Sequence, residues 1–187
     1  MTYRVLFFGS ASFSIPLLEG LARDPRFEVI GVVTQPDRPV GRKGVLTPPP
    51  LKTAAGHAGI KTYQYESVKP SEVIDELKNL QPDLLIVASF GQIMPQALLD
   101  IAPRGAINFH WSLLPKYRGA SPIQAAIING EEKTGATVML MDAKMDHGAI
   151  LTQFEDPIRP DDTSDTLYHR LSTLGAPLLA DTIIKYI

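Results

Sequence analysis

The sequence predicts an α/β fold of the doubly wound, Rossmann-like type, with a mostly parallel sheet and one domain over residues 1–187. Short apolar runs such as 84–88 alternate with segments of helical periodicity, and strands buried on both faces are typically continuous apolar runs. Near the N-terminus a strand, a helix and a second strand follow one another within about thirty residues, which is the βαβ unit of parallel sheets. The chain has 187 residues, 44% of them hydrophobic, and is therefore long enough to bury one substantial core.

The predicted elements alternate along the whole chain. The first strand, at 5–8, precedes a helix that runs through Leu21 and that Ser12 or Ser14 would cap. Further strands are expected at 27–34, 60–63, 83–89, 106–110, 134–141 and 149–158. Further helices are expected at 51–58, at 71–80, in a short segment ending at Asp100, at 122–129 and at 164–187. The segment 161–165 is rich in acids and would cap the last helix.

Four irregular segments follow predicted strands, at 35–50, 90–95, 111–121 and 142–147. We interpret the first as a loop, because Pro and Gly at its density disfavour regular structure. In doubly wound sheets, ligands bind at the carboxyl ends of the strands. Chemically varied loops at that edge therefore predict an active site there.

Composition excludes several functions. The absence of cysteine excludes a disulfide framework, a Cys-ligated metal and a thiol nucleophile. A net charge of -2 excludes an overall electrostatic attraction to nucleic acid, although five of the six charged residues in 35–62 are basic, which favours a local anionic partner. No apolar run is long enough to span a membrane and no signal peptide is evident, so we expect a cytoplasmic protein. We also expect a monomer. The standard dinucleotide, P-loop, zinc-protease and serine-hydrolase motifs are missing.

Asn108 and His110 form the most informative pair. They lie two residues apart at the end of a predicted strand, so both side chains face the same side. An amide and an imidazole directed at one point can stabilise an oxyanion, and the imidazole can also transfer a proton. Asp142 or Asp146 in the next loop could orient the imidazole, although loop aspartates more often form turns. The residues alone thus indicate an α/β enzyme without a metal, and leave the reaction open.

A compound motif supplies a resemblance. The stretch 108–119, which reads N-x-H-x-S-L-L-P-x-x-R-G, is followed by Asp146-x-Gly148 and resembles the folate-dependent formyltransferases. Segments 7–18, 34–52 and 118–124 are similar to the members of that family that formylate methionyl-tRNA. The resemblance covers essentially the whole chain. It also implies a further C-terminal tRNA-binding domain, so we expect this chain to be the catalytic domain of a longer protein.

The resemblance implies transfer of the formyl group of 10-formyltetrahydrofolate to the amino group of initiator methionyl-tRNA, for translation initiation and without a metal. Asn108 and His110 would stabilise the negative oxygen, and Asp146 would hold His110 in its useful state. Folate contacts are implied for Ser112, Leu113, Leu114, Pro115, Phe90, Gly91, Ile93 and Met94. Contacts with tRNA are implied for Arg38, Arg42 and Lys43. Trp111 and His147 depart from the residues usual in the family.

Two alternative functions remain at this point. One is a folate-dependent formyltransferase that acts on an amino sugar nucleotide, and the other is a non-catalytic folate-binding or nucleotide-binding module. The cations and prolines of 35–50 favour the tRNA substrate over the sugar nucleotide. The combination of Asn108, His110 and Asp146 favours an enzyme over a binding module, which has no need of all three.

Overall fold

The computed structural model describes residues 2–142 and 144–187 and confirms the doubly wound α/β fold class. Within these residues the strands are β1 (Tyr3–Gly9), β2 (Phe27–Thr34), β3 (Arg38–Val40), β4 (Val45–Thr47), β5 (Thr62–Gln64), β6 (Leu84–Ala88), β7 (Ala106–His110), β8 (Lys133–Leu140) and β9 (Ile150–Pro157). The helices are α1 (Ile15–Arg23), α2 (Pro50–His57), α3 (Ser71–Lys78), α4 (Gln96–Leu99), α5 (Pro122–Ile128) and α6 (Ser164–Tyr186).

The main sheet is mostly parallel, as predicted. Its strand order is β5-β2-β1-β6-β7-β8-β9, in which the first five strands are parallel and β8 and β9 are antiparallel to their neighbours. Alternate side chains of β1 enter two different cores. Val5 and Phe7 pack with α1, α2, α5 and α6, whereas Leu6 and Phe8 pack with α3 and α4. Both faces are therefore covered, which explains why the central strands are continuously apolar.

The prediction that 35–50 is entirely a loop is wrong. Strands β3 and β4 form an antiparallel hairpin in which Pro39 lies opposite Leu46. A lone two-stranded ribbon tolerates a proline, because no third strand needs the missing N–H. Gly41 and Gly44 have the positive φ angles that a tight reversal requires. Every residue of 38–48 is exposed, so the hairpin projects from the body of the protein.

Ser14 occupies the N-cap position of α1, as predicted, but the expected capping hydrogen bond is not formed. Residues Ser12–Ser14 form a 3-10 turn, and neither serine caps α1 with its side chain. Buried Ser14 instead donates through Oγ to the carbonyl of Ala88 at 2.8 Å, which ties the start of α1 to the end of β6. The cap expected within 161–165 is confirmed, since Thr163 and Thr166 form a reciprocal capping box on α6. Within the residues that the structure describes, no helix is long and apolar enough to cross a membrane.

Helix α6 packs tightly against β7. Phe109, on the strand face opposite Asn108 and His110, is buried against Gly175 of α6. A Cβ atom at position 175 would lie 2.4 Å from Cζ of Phe109, so this approach requires glycine. The position of β7, and with it that of the pair Asn108 and His110, is therefore set partly by a helix on the other side of the sheet.

Candidate active site

Asn108 and His110 face one cavity at the carboxyl end of β7, as the sequence predicts. The cavity has a volume of about 410 Å³, which lies within the range of small-molecule sites. Its wall combines the end of β6, β7, β8 and the segment around residue 146. The residues that line it include Phe13, Phe90, Gly91, Ile93, Met94, Asn108, His110, Trp111, Gly119, Met139, Met141, Lys144, Met145, Asp146 and Tyr168.

The His110 ring is held by a backbone carbonyl. Its Nε2 lies 2.9 Å from the carbonyl oxygen of Tyr117, which can only accept, so Nε2 carries a hydrogen and donates. In the neutral ring, Nδ1 then has the free lone pair. Nδ1 lies 3.8 Å from Oδ1 of Asp146, and the ring is 6% exposed. This arrangement lets Nδ1 accept a proton on the side of the ring that faces the carboxylate.

The carboxylate of Asp146 connects both members of the pair. Its Oδ2 accepts from the backbone N–H of Gly119 at 2.8 Å, and its Oδ1 accepts from Nδ2 of Asn108 at a longer 3.4 Å. Nε of Arg118 donates to its backbone carbonyl at 3.0 Å. The structure thus brings Asn108, His110 and Asp146 together. Asp142, the other candidate, lines the cavity but accepts from the backbone N–H of Lys144 as in a turn.

Strained backbone surrounds this site. Ser89, Tyr117 and Asp146 all have φ between 51° and 55°, a left-handed conformation that costs a residue other than glycine about 1–3 kcal/mol. Ser89 and Asp146 line the cavity, and Tyr117 supplies the carbonyl that His110 contacts. Such strain persists where surrounding contacts impose it, and it is concentrated at functional sites.

The four residues of 90–94 predicted to contact folate do line the cavity. Phe90 and Met94 are buried in its wall, whereas Ile93 is 63% exposed at its edge. Two glutamines fix this segment: Nε2 of Gln35 donates to the carbonyl of Phe90 at 3.1 Å, and Gln92 bonds the backbone at residues 65 and 68.

The structure places Ser112, Leu113, Leu114 and Pro115 elsewhere. None of these described residues lines the cavity; they form a turn behind His110. Oγ1 of Thr137 donates to the carbonyl of Ser112 at 2.6 Å, and Nε2 of Gln153 donates to that of Leu114 at 2.9 Å. The geometry gives this turn a supporting position, since it leads from His110 to the carbonyl of Tyr117.

The three predicted tRNA contacts, Arg38, Arg42 and Lys43, lie on the exposed hairpin and outside the cavity. Arg38 forms an ion pair with Glu66. The base of the hairpin is fixed by Nζ of Lys52, which donates to the carboxylate of Asp37 at 2.8 Å and to Gln64 at 2.7 Å. This hydrogen bonding lowers the pKa of Asp37 below its ordinary value.

The sequence reasoning missed part of the wall. Met139 pairs with Asn108 across the strands, and Met141 follows it by two residues. The sequence feature that could have identified both methionines is the alternation of side chains along β8. This alternation becomes informative only once the register between β8 and β7 is known. Phe13 stacks on Tyr168 with ring centroids 4.1 Å apart, and both contact buried Trp111. Nε1 of Trp111 donates to Ser172 of α6. The tryptophan that departs from the family pattern is therefore accommodated within the packed interior.

Across residues 2–142 and 144–187, no group of three or more His, Asp or Glu side chains is placed to hold a metal ion. The available chemistry is that of one amide, one imidazole and one carboxylate, the imidazole and the carboxylate largely buried.

Comparisons with known proteins identify the family to which the chain belongs. Residues 3–183 match the family described as formyl transferase. The chain is 47% identical over 184 residues to the methionyl-tRNA formyltransferase of Listeria innocua, covering 98% of this chain and 58% of that protein. It is 49% identical over 180 residues to that of Halalkalibacterium halodurans, covering 96% and 56%. The chain therefore spans less than two thirds of the length of these relatives.

Solved structures share the fold. A phosphoribosylglycinamide formyltransferase from Bacillus halodurans has a TM-score of 0.79 and 25% identity, with 97% of this chain and 94% of that chain covered. A sugar N-formyltransferase from a Shewanella species has a TM-score of 0.71 and 24% identity, with 98% and 69% covered. The second likeness, at under 25% identity, concerns the fold alone.

Proposed function

The chain belongs to the formyl transferase family, and from that premise we propose that it transfers the formyl group of 10-formyltetrahydrofolate to the amino group of initiator methionyl-tRNA. The convergence of Asn108, His110 and Asp146 on one cavity is the observation that carries the proposal. Support for this acceptor comes from relatives 47–49% identical that are methionyl-tRNA formyltransferases.

Asn108 donates to the oxygen of the formyl group, and His110 can donate to it from Nδ1 once that nitrogen has gained a proton. When the amine attacks the formyl carbon, this oxygen becomes negative. The amide of Asn108 makes only a 3.4 Å bond to Asp146, so Nδ2 is free to turn to a stronger acceptor. One donor of this kind contributes roughly 3–4 kcal/mol to lowering the barrier in comparable sites.

His110 and Asp146 take the proton from the attacking amine, and this proton passes to N10 of the folate as the bond between N10 and the formyl carbon breaks. With Nε2 donating to Tyr117, Nδ1 of His110 is the position that gains or loses a proton. The protonated ring is stabilised by Asp146, whose Oδ1 lies 3.8 Å away.

The two substrates would approach from different parts of the surface. The apolar wall formed by Phe90, Met94 and Met141 suits the flat rings of a folate. The hairpin of β3 and β4 carries Arg42 and Lys43 on an exposed ribbon, which suits the phosphates of the tRNA acceptor end.

The test is to mix this chain with 10-formyltetrahydrofolate and methionyl-tRNA and to follow the release of tetrahydrofolate. Release that requires charged initiator tRNA is expected, with loss in Asn108→Ala and retention in the matched surface control Asn79→Ala. Release with an amino sugar nucleotide in place of tRNA would move the assignment to that acceptor. Folate binding with no release for either acceptor would contradict the proposed activity of this chain.

A further inference from the structure

A polar cluster lies outside the cavity, between the end of α5 and the start of β8. Oε1 of Glu131 accepts from the hydroxyl of Tyr117 at 2.6 Å and from Nζ of Lys116 at 3.0 Å. Nδ2 of Asn129 donates to the same hydroxyl at 3.1 Å. One carboxylate thus holds two consecutive side chains of the turn that follows His110.

The backbone of this turn is the part that touches His110. The carbonyl of Tyr117 accepts from Nε2 of His110 at 2.9 Å, while Tyr117 itself has a φ of 55°. The carbonyl of the preceding residue, Lys116, accepts from Oγ of Ser112 at 2.7 Å. A left-handed tyrosine relaxes unless contacts impose its conformation, and its side chain is anchored at its far end by Glu131.

We propose that Glu131 is a positioning residue for His110: by fixing Tyr117, it directs the carbonyl that selects the Nε2–H form of the imidazole. The proposal rests on the proposed function for its kinetic consequence. With the carbonyl in place, Nδ1 is the nitrogen left free beside Asp146. If the carbonyl moves, the neutral ring can place its hydrogen on either nitrogen, and part of the population has the wrong one for accepting a proton.

A plain surface ion pair does not account for this cluster. The side chain of Lys116 is 64% exposed, so its pair with Glu131 contributes little by itself. The hydroxyl of Tyr117 is the stronger partner, since a hydrogen bond to a carboxylate is charge-assisted. That hydroxyl, followed by Lys116, lowers the pKa of Glu131 below its ordinary value. Glu131 therefore accepts as a carboxylate at neutral pH.

The kinetic test compares Glu131→Ala and Tyr117→Phe with the matched control Glu155→Ala, which removes an exposed ion pair between β8 and β9. We expect kcat to fall about tenfold in the first two variants, with KM within about twofold, because misplaced catalytic groups slow the chemical step. The double variant should lose no more than either single variant. Glu131→Gln, which keeps an acceptor for the hydroxyl, should retain more activity than Glu131→Ala, and Glu155→Ala should be unchanged.

A spectroscopic test needs no substrate. The chain has four histidines, and the His110 imidazole signals are assigned by their loss in His110→Asn. Nitrogen NMR of the neutral ring should show a single Nε2–H form in the wild type and a mixture in Glu131→Ala. An unchanged His110 spectrum in folded Glu131→Ala would overturn the proposal. Failure of the wild type to transfer formyl groups would instead count against the proposed function, and the spectrum would still decide the role of Glu131.

Discussion

Adding one methyl group at Gly175 should damage the site from the opposite face of the sheet. The new Cβ would lie 2.4 Å and 2.5 Å from two ring carbons of Phe109, about 1 Å or more inside the normal contact distance. The new Cβ would also lie 3.3 Å from a ring carbon of Phe154, so a second aromatic side chain crowds the same position. Overpacking of this kind costs about 1–3 kcal/mol, and the gain from replacing a helical glycine, about 0.4–1 kcal/mol, offsets part of it.

We therefore expect Gly175→Ala to lose about 1–2 kcal/mol, which lowers the melting temperature by about 2–8 °C in a domain of this size. Phe109 lies between Asn108 and His110, and a shift of about 1 Å at a catalytic group can cost up to a hundredfold in rate. At temperatures below the melting transition, the rate of formyl transfer should therefore be about tenfold lower than in the wild type. The matched control is Gly56→Ala in α2, where a Cβ meets nothing within 4 Å and stability should rise slightly. Wild-type melting and rate in Gly175→Ala would refute the claim that α6 sets the position of β7.

The remaining predictions concern catalysis, tRNA and acid stability. Asp146→Asn should lower formyl transfer by about a hundredfold or more with little change in melting temperature, because it removes charge without volume; a full rate would exclude the carboxylate from the mechanism. Arg42→Ala should raise KM for tRNA while leaving folate affinity intact by calorimetry, whereas equal loss of both would indicate misfolding. Arg170 holds the pKa of Asp162 well below its ordinary value, so the stability this pair adds is present above about pH 4 and is lost as the pH falls further. Between pH 5 and pH 2, the free energy of unfolding measured with urea should fall by about 1–2 kcal/mol less in Asp162→Asn than in the wild type. Parallel curves for the two proteins would contradict this.

Local patterns predicted what depends on local geometry. The alternation of β7 was sufficient to pair Asn108 with His110, because period two is a property of any strand. Asp146 lies 36 residues after His110, and the residues alone did not distinguish it from Asp142. Its role was suggested by the resemblance, and its position became visible only when the loop was seen to return to Gly119.

The errors of prediction have physical causes. The hairpin of 38–47 was missed because an exposed ribbon rich in Pro and Gly lacks the apolar alternation that identifies strands in a core. The folate contacts expected of residues 112–115 stay a prediction: in the structure these residues form a turn behind His110, and none of them lines the cavity. A motif shows which residues matter together, whereas only the fold shows whether each contacts the ligand or supports a neighbour that does. The carbonyl of Tyr117 illustrates the limit, since a backbone atom leaves no signature in sequence.

The strained residues around the cavity explain why the supporting layer matters as much as the wall. Ser89, Tyr117 and Asp146 are each held by contacts from elsewhere in the chain: the carbonyl of Ser89 by the backbone of Ser10, Tyr117 by Glu131, and Asp146 by the backbone of Gly119. When such a contact is removed, the remaining packing no longer holds the backbone at its strained φ angle, and the backbone relaxes. Sensitivity to mutation should therefore extend to residues that never touch a ligand, and it should appear in kcat before it appears in stability.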